Sequence, residues 1–421
     1  MTYEDFITSK VETAPISGFE IDDSEINPIL YPHQRDAVKW AIAHGRAGIF
    51  ERFGLGKTIQ ELEICRLIIK HKGGKALIVV PLGVRQEFKK DAVNLLGISP
   101  PEYVTCMAEV EASEADIIMT NNERVRDGDI DPSYFTVCII DEAADLRSFG
   151  TKTTQVANKK FKGVKYKFTA SATPSPNNYV ELLQQSGFLE IMDTGQALTR
   201  FFQRNSTKAH QPSLYPHMEK VFWTWVGSWG IFISKPSDLG YADEGYELPP
   251  IEIRTHIIKK DFKELPEAKD GQLEFMRDVA ASLPEASKEK SNSISARVAK
   301  AKEIVASSPD EHFILWHDRE AERLELKKQI KDVVDVYGSL DYEEREKRVV
   351  DFSEGRCKYL ATKKSISGSG CNFQKYCHRA IFIGIDYMFE DFIQAVHRIY
   401  RFGQQEKVII DIIYTEAEES V

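Results

Sequence analysis

Short apolar runs, each closed by a polar turn and followed by a helix-like stretch, recur along the 421-residue chain. The first series is "AGIF" (47–50), "ALIVV" (76–80), "DIIMT" (116–120), "TVCIID" (136–141) and "KFTAS" (167–171). The second is "HFILWH" (312–317), "DVVDVYG" (332–338), "KYLAT" (358–362), "AIFIG" (380–384) and "KVIIDIIY" (407–414). Runs this short and this apolar suit strands covered on both faces. Their alternation with helical stretches implies βαβ units and parallel sheets. The predicted fold class is α/β: two doubly wound parallel-sheet lobes with a helical insertion between them. "REAERLELKKQIKD" and "DYEEREKRVVDF" read as helices of the second lobe, and Asp341 with Glu344 suggests a capping box for the latter.

The predicted boundaries are an N-terminal extension (1–30), a first lobe (31–190), a helical appendage (191–247), a linker with crossover helices (248–300) and a second lobe (301–421). Within the appendage, Phe222, Trp225, Trp229 and Phe232 or Ile233 recur at helical spacing. Base stacking on such rings is possible, but a core-facing stripe is the simpler reading.

"ERFGLGKTIQ" (51–60) sits between an apolar run and a helix-like run. Glycines let backbone N–H groups converge on an anion, and a helix N-terminus adds its positive dipole end. Lys57 would reach the terminal phosphates of a nucleotide, and the Thr58 hydroxyl would join Mg2+. The general phosphate-loop pattern asks for glycine where Glu51 stands, so an ordinary strand–helix turn with an incidental lysine competes for this stretch. "VCIIDEAADL" lends weight to the nucleotide: Asp141 and Glu142 follow a buried run directly. A strand-end aspartate can hold Mg2+, and an adjacent glutamate can deprotonate the attacking water. In doubly wound sheets ligands sit at the carboxyl ends of strands, where both stretches fall. Near the end, Gln394, Arg398 and Arg401 in "EDFIQAVHRIYRFGQQ" stand at i, i+4, i+7, one face of a helix. Guanidiniums there could steady charge on a transferring phosphoryl group, or be a solvated basic face.

Taken in order, these stretches resemble the superfamily-two helicases and translocases, and within them the SWI/SNF-type DNA-dependent ATPases. "LYPHQRDAVKWAI" resembles the adenine-reading region, with Gln34 as reader. "FGLGKTIQ" is similar to motif I, "ALIVVPLGVRQEF" to motif Ia and "IIMTNNERVR" to the next DNA-contacting motif. "DEAADL" stands for motif II and "TASATPSPNNYVELLQQSGFL" for motif III. "KKSISGSGCNF", with Gly368, Gly370 and Asn372, resembles motif V, and "QAVHRIYRFGQ" fits motif VI. "FWTWVGSWGIFISKPSDLGY" looks like the helicase-like proteins of phages and prophages. The resemblance implies RecA-like lobes with ATP in the cleft and DNA across the top. ATP would be held by Gln34, Gly54, Leu55, Gly56, Lys57, Thr58, Gly370 and Gln394, and Mg2+ by Thr58 and Asp141. Lys57, Asp141, Glu142, Arg398 and Arg401 would carry catalysis, with Ser171 and Thr173 coupling it to DNA. One departure is Ala144, which replaces the usual histidine of motif II.

The formal net charge is −10, so the molecule is no basic coat, and DNA must be met by local groups. The most basic tract, "NKKFKGVKYK" (158–167), precedes a strand and so faces away from ligands, as a solvated loop. Thr120 and Asn121, and Thr362, Lys363, Lys364 and Ser365, follow strands and are the better DNA-backbone candidates. Cysteines at 65, 106, 138, 357, 371 and 377 form no CxxC pair and read as packed, reduced thiols rather than a zinc site with His378. The N-terminus lacks a signal-peptide pattern and no apolar run reaches about 18 residues, so a cytoplasmic protein is expected.

The function expected is a Mg-ATP-driven motor moving along DNA with little sequence preference. The rivals are a strand-separating helicase, for which no wedge element is visible, and the motor subunit of a restriction–modification assembly. A clamp that binds ATP without turnover is the rival of another class, and the acid of Glu142 and the arginines 398 and 401 speak against it.

Overall fold

The computed structural model describes residues 13–143, 159–175, 178–203, 212–259, 292–367, 371–385 and 388–418. The chain divides into two compact units, Met1–Tyr246 and Glu247–Val421.

Unit 1 is built on strands β1 (Arg46–Glu51), β2 (Ala76–Val79), β3 (Glu102–Tyr103), β4 (Ile117–Thr120), β5 (Val137–Ile140) and β6 (Tyr166–Ser171). A small antiparallel pair, β7 (Phe202–Gln203) and β8 (Ser213–Leu214), and a further strand, β9 (Gly230–Ile233), complete it. The large sheet runs β3-β4-β2-β5-β6-β1-β9, and every neighbouring pair is parallel. Successive side chains enter opposite cores, as a pleat requires. Leu77, Val79, Cys138 and Ile140 join one cluster, while Ala76, Ile78, Val137 and Ile139 join the other. Each such aliphatic side chain contributes about 1.5–3 kcal/mol on burial, which is why apolar runs of four residues suffice as central strands.

Unit 2 carries β10 (Ile251–Ile258), β11 (His312–Trp316), β12 (Val333–Val336), β13 (Tyr359–Thr362), β14 (Cys377–Ile383) and β15 (Val408–Thr415). Its order is β10-β15-β14-β11-β13-β12, again parallel throughout. The predicted fold class, two doubly wound parallel sheets, is what the chain forms. A fully buried pair, Arg297 and Glu322 (3.0 Å), stitches the carboxyl edge of this sheet. Arg297 also donates to the Ile383 carbonyl (2.8 Å), and Glu322 accepts from the main-chain N–H groups of Asp318 and Arg319 (2.9 Å each).

Three local expectations are corrected. The aromatic stripe is not one helix: the helix Glu219–Gly227 stops at Ser228, whose hydroxyl donates to Trp225 O (2.7 Å). Phe222, Trp225 and Trp229 are buried in the core, but Ile233 and the exposed Phe232 lie on β9, paired to β1. The segment read as a helical appendage carries the helices Thr194–Phe201 and Glu219–Gly227, but its strand Gly230–Ile233 extends the first sheet. Ile251–Ile258, read as linker, is an edge strand; it lies outside the sequence-local pattern because its partner, β15, is far along the chain. Asp341 caps its helix through Glu343 N (3.1 Å), but Glu344 bonds Arg348 (2.8 Å) rather than closing a capping box. No helix among the described residues is long and apolar enough to cross a membrane.

Candidate nucleotide site

The chain leaves β1 at Glu51 and enters the helix Lys57–Lys72 through a tight loop. Gly54 (φ 88°) and Gly56 (φ 86°) are left-handed, a conformation that costs other residues about 1–2 kcal/mol. A Cβ at Gly56 would stand 2.4 Å from Gln34 Nε2, so the position has no room for a side chain. Gln34 is buried and donates to the Leu55 carbonyl (2.8 Å), while its own oxygen accepts from Tyr31 N (2.9 Å). It acts here as a strut under the loop. Leu55 is buried and Thr58 half-buried in the first helical turn, where main-chain N–H groups have no intrahelical acceptor.

Lys57 Nζ donates to the Glu51 carbonyl (2.9 Å). The Glu51 side chain is wholly buried and accepts from Gln60 Nε2 (2.8 Å). Burial pushes this carboxyl up to about 7, against the opposing pull of Lys57 and Gln60. The residue standing where a phosphate loop has its first glycine is thus part of the loop's inner wall.

Asp141 and Glu142 follow β5, and Asp141 N is held by Val79 O (3.0 Å). β6 separates β5 from β1, so their carboxyl ends lie about 10 Å apart, two strand spacings. That brings Asp141 within electrostatic reach of Lys57: burial first, then the charge of Glu142, raise the Asp141 carboxyl, and Lys57 counters them. Glu142 adopts φ 51°, a left-handed conformation that is uncommon outside glycine and clusters at functional sites. Its N–H donates to Asp141 Oδ1 (2.9 Å), and its Oε2 is buried without a hydrogen-bond partner among the described residues.

These groups suit a phosphate-bound divalent cation. Buried carboxylates crowd one ammonium, and several of their oxygens lack partners. Mg2+ is commonly held by one or two protein oxygens and completed by phosphates and water, and Thr58 and Asp141 would supply those oxygens here. Ser171 ends β6 beside this edge; its buried hydroxyl accepts from Thr173 N (3.1 Å).

In unit 2 the helix Phe389–Val396 contains Gln394 but ends before Arg398 and Arg401. The single helical face expected for the three is therefore not formed. The chain tightens into i→i−3 bonds, Arg398 N to Ala395 O and Ile399 N to Val396 O (3.2 Å each). Arg398 is buried, donating to Gln394 O (3.1 Å) and Cys371 O (3.4 Å). Arg401, half-buried, donates to the Asn372 side chain. Both guanidiniums thus address residues 371–372. Gly368, Gly370 and Ala144 lie outside the described residues.

The strand-end candidates for DNA divide by exposure. Thr120 is fully buried and its hydroxyl donates to Val104 O (3.0 Å). Thr362 is fully buried against Ser367 (3.0 Å), and Lys364 is buried in a pair with Asp318 (3.2 Å). These three point inward, a correction to the sequence reading: Thr120 and Thr362 by strand alternation, and Lys364 as the first residue of the short helix Lys364–Ser367. Asn121 and Lys363 are half-buried and Ser365 exposed. In the basic tract Lys159, Lys162 and Lys165 are solvated as expected, but Lys167 is buried in β6, donating to Phe188 O (2.8 Å).

Residues 297–403 match the helicase conserved C-terminal domain. The match starts at Arg297, spans β11 to β14 and closes just past Arg401. Unit 2 is in this sense helicase-like. No curated protein matches the chain. A solved structure similar to it is the Sulfolobus solfataricus SWI2/SNF2 ATPase core in complex with dsDNA, with 16% identity over 94% of this chain and 90% of that one, and a TM-score of 0.48.

Sequence reasoning passed over Glu61 and gave Glu51 no role beyond a missing glycine. The signal for Glu61 was an acid inside "KTIQELEICRLII", a helix whose residues 59–65 are all buried. Charged side chains are almost never fully buried without a partner.

Proposed function

We propose that this chain is a DNA-dependent ATPase of the SWI/SNF-like class, a motor that couples Mg-ATP hydrolysis to movement along DNA, nearest the phage-type proteins. One observation carries the reading: a glycine-cradled lysine faces a strand-end Asp-Glu pair in unit 1, in a chain whose unit 2 is similar to the helicase C-terminal domain.

In this reading the loop N–H groups and Lys57 bind the phosphates, and Lys57 leaves the Glu51 carbonyl to do so. Thr58 and Asp141 would hold Mg2+, which neutralises phosphate charge. Glu142 accepts the proton of the attacking water. Arg398 and Arg401 steady charge on the transferred phosphoryl group. Gln34 and Gln394 contribute to nucleotide binding, and Ser171 and Thr173 relay the nucleotide state. Asn121, Lys363 and Ser365 grip DNA phosphates, which makes binding sequence-independent and salt-sensitive.

The test is the ATPase rate of the whole chain without DNA and with single-stranded, duplex and branched DNA. Hydrolysis stimulated by DNA and weakened by salt is expected. Hydrolysis indifferent to every DNA, or none at all, overturns the reading.

A further inference from the structure

Three acids near the phosphate loop are fully buried; one is matched at both oxygens and one at a single oxygen. Glu63 receives Arg66 (2.8 and 2.7 Å) and the main-chain N–H of Asn27 (2.7 Å). Glu51 receives Gln60 (2.8 Å). Glu61, also fully buried, has no hydrogen-bond partner at either oxygen among the described residues.

Glu61 stands four residues after Lys57, so both project from one face of the helix Lys57–Lys72. Burial raises its carboxyl well above the ordinary range, and the charge it feels next most strongly is that of Asp141, followed by Lys57, Glu142 and Glu51. The unmatched group therefore lies among the residues assigned to phosphate, cation and water. A buried polar group without partners is costly, and no described residue supplies one, which points to a bound ligand. Three of the four charged groups acting on it are acids, which disfavours an anion as its own partner. The loop beside it binds phosphates, which arrive with a hydrated divalent cation.

We propose that Glu61 is a positioning residue of the nucleotide site, whose two carboxyl oxygens gain their missing partners from the water shell of the divalent cation that accompanies the nucleotide. This rests on the nucleotide reading of the loop. Glu61 would hold the cation's waters from the helix side, complementing Thr58 and Asp141, and would raise affinity only for the cation-bound nucleotide. Loss of such outer-shell partners typically costs about 10–100-fold in metal affinity.

The experiment compares wild type with Glu61→Gln and Glu61→Leu as full chains. Binding of a fluorescent ADP analogue is titrated in EDTA and in Mg2+, and thermal unfolding is followed without nucleotide. For Glu61→Gln we expect a higher unfolding temperature without nucleotide, because an uncompensated buried acid is gone. Its affinity in EDTA should equal wild type, while the extra affinity conferred by Mg2+ falls about tenfold or more. Glu61→Leu should show the same split. A full Mg2+ increment in both variants overturns the proposal, as does a lowered unfolding temperature or failure to fold in both, which would make the acid a structural element. If wild type binds no nucleotide at all, the nucleotide reading itself has failed. If wild type binds with a Mg2+ increment and the variants match it, only the role of Glu61 has failed.

Discussion

The ammonium of Lys57 donates to the main-chain oxygen of Glu51 across 2.9 Å, closing the glycine loop on itself. The same lysine opposes the raised carboxyls of Glu51, Glu61 and Asp141. In the proposed site its removal takes away both the phosphate ligand and this counter-charge. Lys57→Ala should abolish detectable nucleotide binding and lower turnover by about 10²-fold or more, the scale for losing one strong charge-stabilising donor. Nucleotide titration and steady-state ATPase assay check this; wild-type turnover would remove Lys57 from the site.

Glu142 is held apart from its neighbour in role. Its left-handed backbone and unpartnered Oε2 suit a group kept ready for a water. Glu142→Gln keeps the shape and loses the base. It should retain nucleotide within a fewfold and lose about 10²-fold or more in kcat, the usual contribution of general-base catalysis. A single-turnover experiment beside the binding titration separates the two, and near-normal turnover dismisses Glu142 as base.

The strands were legible because central strands of parallel sheets need apolar residues on both faces, so "ALIVV" and "HFILWH" could be little else. β9 and β10 were not legible for a related reason. Gly230–Ile233 continues an aromatic run of helical spacing, and only pairing with β1 makes it a strand. The arginines at 398 and 401 were found by spacing, but the spacing assumed a helix that ends at Val396. Thr120 and Thr362 were correctly placed at strand ends and wrongly faced, since a one-residue step decides inside from outside, and Lys364 opens a short helix that turns it onto Asp318. Glu61 needed its burial to be known before its missing partners could be noticed.

Glu51 gives a pH signature that nucleotide binding does not share. Its carboxyl is raised from 4.5 to about 7 by burial. Between those values the folded state holds a proton that the unfolded state has lost, so wild type loses stability as pH rises through this window. Glu51→Gln cannot titrate there and keeps the Gln60 bond. Without nucleotide the variant should match wild type near pH 4.5 and exceed it by up to about 3 kcal/mol above pH 7. Unfolding midpoints at pH 5 and pH 8 decide: an advantage for the variant that is larger at pH 5 contradicts the buried acid.

Arg398 and Arg401 should part company under substitution. Arg398 is buried on two carbonyls, Gln394 and Cys371, so Arg398→Ala leaves buried acceptors unmet and lowers the unfolding temperature of unit 2 as well as activity. Arg401 is half-buried and donates to the Asn372 side chain rather than to buried carbonyls. Arg401→Ala should leave unfolding within about 0.5 kcal/mol and lower kcat by about 10³-fold, the scale of an arginine finger. Equal effects of both changes on stability, with intact kcat, would make the pair structural.

The motor should track duplex DNA without opening it. Gripping phosphates along a strand through Asn121, Lys363 and Ser365 needs no base to unstack. Strand separation costs about 1.4 kcal/mol per base-pair step and calls for an apolar or aromatic element that wedges between bases. The aromatic rings described in the segment 191–247 pack against the protein itself. Phe222, Trp225 and Trp229 are buried in the core of unit 1, and Trp223 and the exposed Phe232 pack edge-to-face on each other. Two assays on one preparation test this: ATP-dependent displacement of a third strand from a triplex, and unwinding of a forked duplex. Triplex displacement with little unwinding is expected. Efficient unwinding of the fork with no triplex displacement would replace the translocase with a strand-separating helicase, and Phe232 would then be the first residue to substitute.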